Sequence, residues 1–210
     1  YWGQFLVAMI IRATGIQPVI AFNLAVATFF ALTVGGAFSL VYNLAESTRL
    51  SLIPAKSFVS SAITKAKSQI NLMSVIAGFT GVAFVAVLGN LDGILQLTEA
   101  NWKAVYNDES FWGQLIAGFD FWRSSRMMAP DPPGFEITEF PFFTFIFADL
   151  HAHMIAIPVT LVTLGISFTL LLASLESRDR NSNWSTSQCA LIALLGIVVG
   201  SLREINAWDF

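Results

Sequence analysis

Charged side chains are scarce in this chain of 210 residues, at 12 % of the total. Soluble domains carry about 25 %, so the composition excludes an ordinary water-soluble domain. The one cysteine, Cys189, cannot form an internal disulfide. The net charge is −3 and no long run of lysine or arginine is present, so nothing in the charge pattern indicates a nucleic-acid partner.

Apolar sequence dominates the chain. Hydrophobic residues make up 55 % of it, and the mean hydropathy is +0.67. A helix that crosses a membrane needs about 20 mostly apolar residues. The sequence therefore predicts an all-α fold, a polytopic transmembrane helical bundle embedded in the lipid bilayer. About four spans are predicted, near residues 18–44, 70–89, 152–175 and 188–203. Because the chain starts without Met and stops just after a helix-like run, we expect it to be an internal fragment (residues 1–210) of one membrane domain.

Residues 91–150 form a long loop between the second and third predicted spans. The loop contains nine acidic and three basic residues, and its aromatic side chains predict short interfacial helices rather than disorder. The loop at 45–69 has four basic residues and one acidic residue. Basic loops stay in the cytoplasm, so loop 91–150 is predicted to be extracytoplasmic, on the outer face of the plasma membrane.

The sharpest polar feature is the run Asp149-Leu150-His151-Ala152-His153, where the third span begins. Carboxylate and imidazole groups together can bind a divalent metal such as Mg²⁺ or Mn²⁺. They can also form an acid–base pair, since a carboxylate orients a neighbouring imidazole. An extended backbone would place all three side chains on one face, and a helix would align only Asp149 with His153. The alternative is a structural role, with the histidines bonded to lipid headgroups or backbone carbonyls.

Arg123 and Arg126 are the only arginines of loop 91–150. The planar fork of donors in arginine suits phosphate, so these two side chains are candidates to bind a lipid-linked phosphate or diphosphate. The alternative is that they form ion pairs within the loop, for which the candidate partners are Asp120, Asp131 and Glu136.

Two further groups of polar residues complete the candidate site. Glu139 lies ten positions before Asp149, where a carboxylate can act as a general base, bind a cationic group or stabilise the start of a helix. The other group follows the fourth apolar run, and we expect it to lie at the outer end of that span, near the histidines; its members include Arg203, Asn206, Trp208 and Asp209.

Several motifs resemble the YYY family of prokaryotic multi-pass membrane proteins. They include GNLDG, FWRSSR, ITEFPFFTFIFADLHAHMIAIP and REINAWDF, and the resemblance extends over most of the chain. The tyrosine-rich element that gives this family its name is expected at or just before Tyr1. The architecture of the family is similar to the GT-C superfamily of integral membrane glycosyltransferases, which take sugars from polyprenyl-phosphate donors on the outer face.

The resemblance implies a GT-C-type glycosyltransferase. In such an enzyme Asp149 or Glu139 would be the base that activates an acceptor hydroxyl. His151 and His153 would bind a metal or orient that base. Cationic groups would stabilise the departing phosphate of the polyprenyl-phosphate sugar. The residues expected to bind substrate are Arg123, Arg126, Arg203, Asn206, Trp208 and Asp209.

Two other classes of function stay open. A non-catalytic assembly or scaffold protein needs no acid–base cluster, and substitutions in the polar residues would change only its stability. A transporter would place its polar residues within the spans, near the middle of the membrane. The gathering of polar residues at the outer ends of the predicted spans disfavours the transporter.

Overall fold

The computed structural model describes residues 2–51, 70–88, 91–120, 122–123, 141–179 and 184–206. Within these ranges every regular element is an α-helix, and three helices are long and apolar enough to cross a membrane. The predicted all-α membrane fold is therefore confirmed. The helices are α1 (Trp2–Thr14), α2 (Pro18–Ser51), α3 (Leu72–Ala86), α4 (Asp92–Asn107), α5 (Phe111–Gly118), α6 (Pro141–Phe147), α7 (Ala152–Asp179) and α8 (Thr186–Ile205).

The helices divide between two compact units. The bundle unit falls within Tyr1–Val82 and Leu150–Phe210, and contains α1, α2, most of α3, α7 and α8. The inserted unit falls within Ala83–Asp149, and contains the end of α3 together with α4, α5 and α6. The inserted unit corresponds to the loop predicted at 91–150, and the described residues of that loop form the short helices α4, α5 and α6.

The predicted spans differ in length from the observed helices. The first extends beyond residue 44 to Ser51, and it carries an ion pair between Glu46 and Arg49 one helical turn apart. The second is observed as α3, whose 15 residues extend about 22 Å, less than the ~30 Å hydrocarbon core. The third and fourth correspond to α7 and α8, each of which is a few residues longer than predicted. Among the described helices three are thus long enough to span, and a crossing by α3 stays a prediction.

A capping box fixes the start of α8. The Oγ of Ser185 accepts a hydrogen bond from the backbone N–H of Gln188 at 3.3 Å, and the side chain of Gln188 accepts one from the backbone N–H of Ser185 at 2.6 Å. Each bond satisfies a group that the first helical turn leaves unpaired. The Nε2 of Gln188 also donates to the carbonyl of Ala173 at 3.3 Å, which joins the start of α8 to the later part of α7.

The other ends of α7 and α8 meet in the buried core of the bundle unit. Ile155 and Ala156 near the start of α7 pack with Leu202 and Ile205 near the end of α8. Because α7 and α8 are also bonded at their opposite ends, they run antiparallel as a hairpin. Phe29 of α2 packs against the same core.

Two glycines allow α3 to approach α2 closely. A Cβ built on Gly78 would lie 2.7 Å from the ring of Phe38. One built on Gly81 would lie 2.5 Å from Cγ2 and 2.9 Å from Cβ of Val41. Small residues let helix backbones approach in a membrane, where contacts between side chains do not gain from exclusion of water. The two glycines lie about one helical turn apart, so both are on the side of α3 that packs against α2.

Candidate functional site

The polar residues predicted to form a site lie partly at one end of the α7–α8 hairpin. His153 comes two positions before the buried Ile155, and Arg203 follows the buried Leu202. Since Ile155 and Leu202 belong to one core cluster, the start of α7 and the end of α8 bring the histidine segment and the Arg203 segment to the same end of the bundle unit. This juxtaposition was predicted from the sequence, and the packing of the two helix ends accounts for it.

Helix α1 holds the histidine segment against this end. The Nε2 of Gln4 donates a hydrogen bond to the carbonyl of Leu150 at 3.3 Å. Gly3 is buried, and a Cβ there would lie 2.7 Å from Cγ2 of Ile155. The missing side chain of Gly3 therefore lets α1 lie directly on the start of α7. The sequence does not indicate this role of Gln4, because a lone glutamine in an apolar run does not specify its partner.

The two histidine rings are half-buried and lie edge to face, with their centroids 5.4 Å apart. Asn206 ends α8, is 7 % exposed, and its backbone N–H donates to the carbonyl of Leu202 at 2.8 Å. Arg203 and Glu204 lie on the exposed side of α8. The polar end of the bundle unit thus presents two imidazoles, a guanidinium, a carboxylate and an amide.

A metal site is not formed by the described residues alone. Within the described ranges, no three His, Cys, Asp or Glu side chains converge as a ligand group. Asp149 closes the inserted unit, whereas His151 and His153 belong to the bundle unit. Four other predicted site residues lie outside the described ranges: Arg126, Glu139, Trp208 and Asp209. The metal site and the roles of these residues stay predictions.

An apolar groove begins beside the polar end of the bundle unit. It has a volume of about 490 Å³ and extends between α1, α2 and the start of α7. Ile155 and Ile205 form its wall next to the polar end, and Val159 continues it along α7. The side chains along α1 and α2 that line the groove are almost all aliphatic or aromatic, and they include Leu6, Ile10, Leu24, Phe29 and Leu32.

A second recess, of about 560 Å³, lies between α2 and the later part of α7. Ser39, Asn43 and Glu46 line it from α2. The Oε2 of Glu46 accepts a hydrogen bond from the Oγ of the buried Ser74 at 2.7 Å, in addition to pairing with Arg49. The sequence predicts Glu46 in the loop at 45–69, because the apolar run ends before it. The ion pair and the serine allow the helix to continue through these charges.

A network of polar groups is buried among the described residues of the inserted unit. Asp92, in the first turn of α4, is fully buried, and its Oδ2 accepts a hydrogen bond from Nε2 of Gln96 at 2.7 Å. Gln96 also bonds the backbone of Asp120 twice, by donating to its carbonyl at 2.9 Å and by accepting from its N–H at 2.7 Å. These bonds connect α4 to the chain that follows α5.

Arg123 joins this network through both sides of its guanidinium. Its Nε lies 2.9 Å from Oδ1 of Asp92, and its Nη1 and Nη2 each donate to Glu99 at 2.8 Å. The bidentate bond to Glu99, with the charge of Asp92 beside it, raises the pKa of Arg123. The same bond lowers the pKa of Glu99. The pairing proposed for this arginine within its loop is therefore present, but with partners other than the three considered.

Aromatic contacts within the inserted unit connect two of the sequence motifs, FWRSSR and ITEFPFFTFIFADLHAHMIAIP. Trp122, from FWRSSR, lies with its ring centroid 5.2 Å from Phe147 and 5.9 Å from Phe143. Phe143 and Phe147 stack on each other along α6, with centroids 5.5 Å apart. Trp122 thereby fixes Arg123 near the helix that precedes Asp149. The sequence identified both motifs but gave no indication that aromatic packing joins them.

Comparison with known proteins places the chain in a family without assigning it a reaction. No curated protein and no solved structure matches the chain. A family model described as Uncharacterized membrane protein (DUF2298) matches residues 1–210. That description agrees with the three described helices that are long and apolar enough to cross a membrane. The chain belongs to this family of membrane proteins, DUF2298.

Proposed function

We propose that this integral membrane protein is a GT-C-type glycosyltransferase of the YYY group, which uses a polyprenyl-phosphate-linked sugar as donor on the outer face of the plasma membrane. The observation that carries the proposal is the apolar groove that begins beside the polar end of the bundle unit. A lipid-linked sugar has the same two parts, a long apolar chain attached to a charged and hydroxylated head.

The groove suits the isoprenoid part of such a donor. Its wall is made of side chains such as Leu24, Phe29 and Ile155, and burial of each CH₂ group contributes about 0.8 kcal/mol. A chain lying in the groove with its phosphate at the Ile155–Ile205 end would place that phosphate near Arg203. A guanidinium is well suited to a phosphate because its donors form a planar fork.

In the reaction, Asp149 or Glu139 takes the proton of an acceptor hydroxyl. The oxygen then bonds to the anomeric carbon of the sugar, and the bond between that carbon and the phosphate oxygen breaks. Polyprenyl phosphate leaves with the bonding electrons, and a cationic side chain stabilises its charge. The candidates for this role are Arg203, Arg126 and Arg123, and the charge of Arg123 is already offset by Asp92 and Glu99.

The test is turnover of the donor by the full-length protein reconstituted in lipid vesicles. The protein is incubated with a panel of polyprenyl-phosphate monosaccharides and a mixture of acceptors, and released polyprenyl phosphate is separated by thin-layer chromatography. We expect release from at least one donor. Leu24→Trp, which fills part of the groove, should raise the KM for that donor about tenfold if about 1.4 kcal/mol of contact is lost. Ile197→Trp, at a position of α8 that is 70 % exposed, should leave the KM unchanged.

A second candidate function is non-catalytic assembly within the membrane. Its support is the Arg123 network, in which a predicted substrate-binding arginine pairs with two carboxylates of α4. In this case no donor in the panel would be turned over, and substitutions in the polar residues would alter only stability.

A further inference from the structure

The buried face of α4 is made of small and polar residues. Its buried positions are Asp92, Gly93, Gln96, Ala100 and Ala104. Four of these recur every fourth residue, a spacing that places them along one side of the helix. In a helical hairpin folded in water, this buried side would hold the leucine, isoleucine and aromatic residues.

The large apolar side chains of α4 and α5 point outward instead. On α4, Trp102 is 72 %, Val105 75 % and Tyr106 80 % exposed; on α5, Trp112 is 67 % and Ile116 81 % exposed, and no residue of α5 is buried. We call these five residues the aromatic face. Helical spacing makes Trp102, Val105 and Tyr106 neighbours on α4, and Trp112 and Ile116 neighbours on α5. Scattered exposed apolar residues are normal on soluble proteins, but neighbouring sets of this kind mark an interaction surface.

We infer that the aromatic face lies in the interface of the lipid bilayer, with α4 and α5 resting on the membrane and these side chains directed toward the acyl chains. Tryptophan and tyrosine are enriched at that depth because their rings combine an apolar body with a polar group. The inference does not depend on the proposed glycosyltransferase activity. It assigns a lipid-binding surface to the inserted unit, outside the helices that are long enough to span the membrane.

The connection of α4 to the preceding helix supports lipid as the occupant. Helix α3 is apolar and ends at Ala86, six positions before Asp92. Six residues span at most about 22 Å, so α4 begins close to the end of an apolar helix. The polar turn between α4 and α5, with Asn107, Asp108 and Glu109 all exposed, gives the hairpin an end suited to headgroups and water.

The buried polar groups of α4 are paired with other polar groups of the inserted unit, as an apolar environment requires. Lipid offers no hydrogen bonds, so polar groups that enter the interface must find partners within the protein. Asp92 is paired with Arg123, and Gln96 bonds both Asp92 and the backbone of Asp120. This arrangement also ties Arg123 to the hairpin, which would keep that guanidinium near headgroup depth.

The inference is tested by the depth of spin labels in the full-length protein reconstituted in phospholipid vesicles. The natural cysteine is removed by Cys189→Ser, and single cysteines are introduced by Val105→Cys, Ile116→Cys and, as a control in the polar turn, Asn107→Cys. Each is labelled with a nitroxide, and its collision rates with oxygen and with a water-soluble nickel chelate are measured. All three positions are exposed, so the label should not disturb packing. Tyr106→Cys provides a second position on α4 if recovery of the first is low.

Labels at 105 and 116 are expected to collide more with oxygen than with nickel, and the label at 107 is expected to show the reverse. Two results would overturn the inference. Higher nickel than oxygen collision at 105 and 116 would place the aromatic face in water. Low collision with both reagents would show that protein covers it.

Discussion

The Nε of Arg123 lies 2.9 Å from Oδ1 of Asp92, a carboxylate that is completely buried. The same guanidinium reaches outward to Glu99, whose side chain is about half exposed. Arg123 thus joins an internal charge to a surface charge, and it connects the start of α4 to the chain beyond α5. Removing the arginine leaves a buried charge without its partner, whereas removing Glu99 leaves the internal pair intact.

Replacing Arg123 with Gln should therefore destabilise the inserted unit strongly. A buried carboxylate deprived of its cation costs about 3–5 kcal/mol. Glu99→Gln, the matched control, should have a much smaller effect because exposed ion pairs contribute little. The measurement is thermal unfolding of the full-length protein in detergent, followed by tryptophan fluorescence. Equal shifts in melting temperature for the two variants would show that the Asp92 pair is not the dominant interaction.

The interaction between Glu99 and Arg123 should also make stability depend on pH. The pKa of Glu99 is lowered in the folded protein, so the unfolded chain binds its proton first as pH falls. The contribution is complete above the ordinary pKa of about 4.5 and is lost as pH falls through the lowered value. The difference in melting temperature between the parent and Glu99→Gln should shrink as the medium is acidified. A difference that grows under acid would contradict this sign.

The contact between α2 and α3 should be sensitive to a single methyl group. Gly81→Ala places a Cβ 2.5 Å from Val41, and overpacking of this kind costs about 1–3 kcal/mol. Gly35→Ala in α2 is the control, because nothing lies within 4 Å of its added Cβ, and Ala is favoured over Gly in a helix by about 0.5–1 kcal/mol. Detergent-solubilised samples heated and then passed over a sizing column report the folded fraction. The account requires a loss for the first substitution and no loss for the second.

The sequence predicted the fold class well because apolar length is a local property. The runs that became α2, α7 and α8 were identified from hydropathy alone. Helix ends were less predictable where a tertiary contact decides them. Helix α2 continues through Glu46 because Arg49 pairs with it and Ser74, on another helix, donates to it. No local pattern specifies such a partner.

The candidate site was predictable only in part. The polar residues at the start of α7 and the end of α8 were expected to meet, because two neighbouring antiparallel spans bring those ends together. The inserted unit was harder, since the partner of Arg123 depends on how α4 and α5 fold back. Nothing near Asp92 in the sequence indicates that its side chain is completely buried and paired with Arg123.

The predicted orientation of the two loops across the membrane can be tested by labelling. The charge balance of the loops predicts that residues 91–150 face outward and that 45–69 face the cytoplasm. In a Cys189→Ser background, Ser110→Cys, just before α5, should react with a membrane-impermeant maleimide added to intact cells. Ser57→Cys, in the part of the chain outside the described residues, should react only after the cells are opened. The opposite pattern would invert the assignment.

The most direct test of the proposed glycosyltransferase is the effect of Asp149→Asn on donor turnover. The substitution keeps the size of the side chain and removes its charge, so it separates chemistry from packing. Loss of a general base typically costs about 10²–10⁴-fold in rate. Asp108→Asn is the control. Asp108 is exposed at the end of α4, and its backbone has the left-handed helical conformation, which Asn also adopts readily. If Asp149 is the base, Asp149→Asn should release polyprenyl phosphate at least about 100-fold more slowly than the parent protein, and its melting temperature should be unchanged. Asp108→Asn should keep full activity. Turnover by Asp149→Asn equal to that of the parent protein would contradict this role of Asp149.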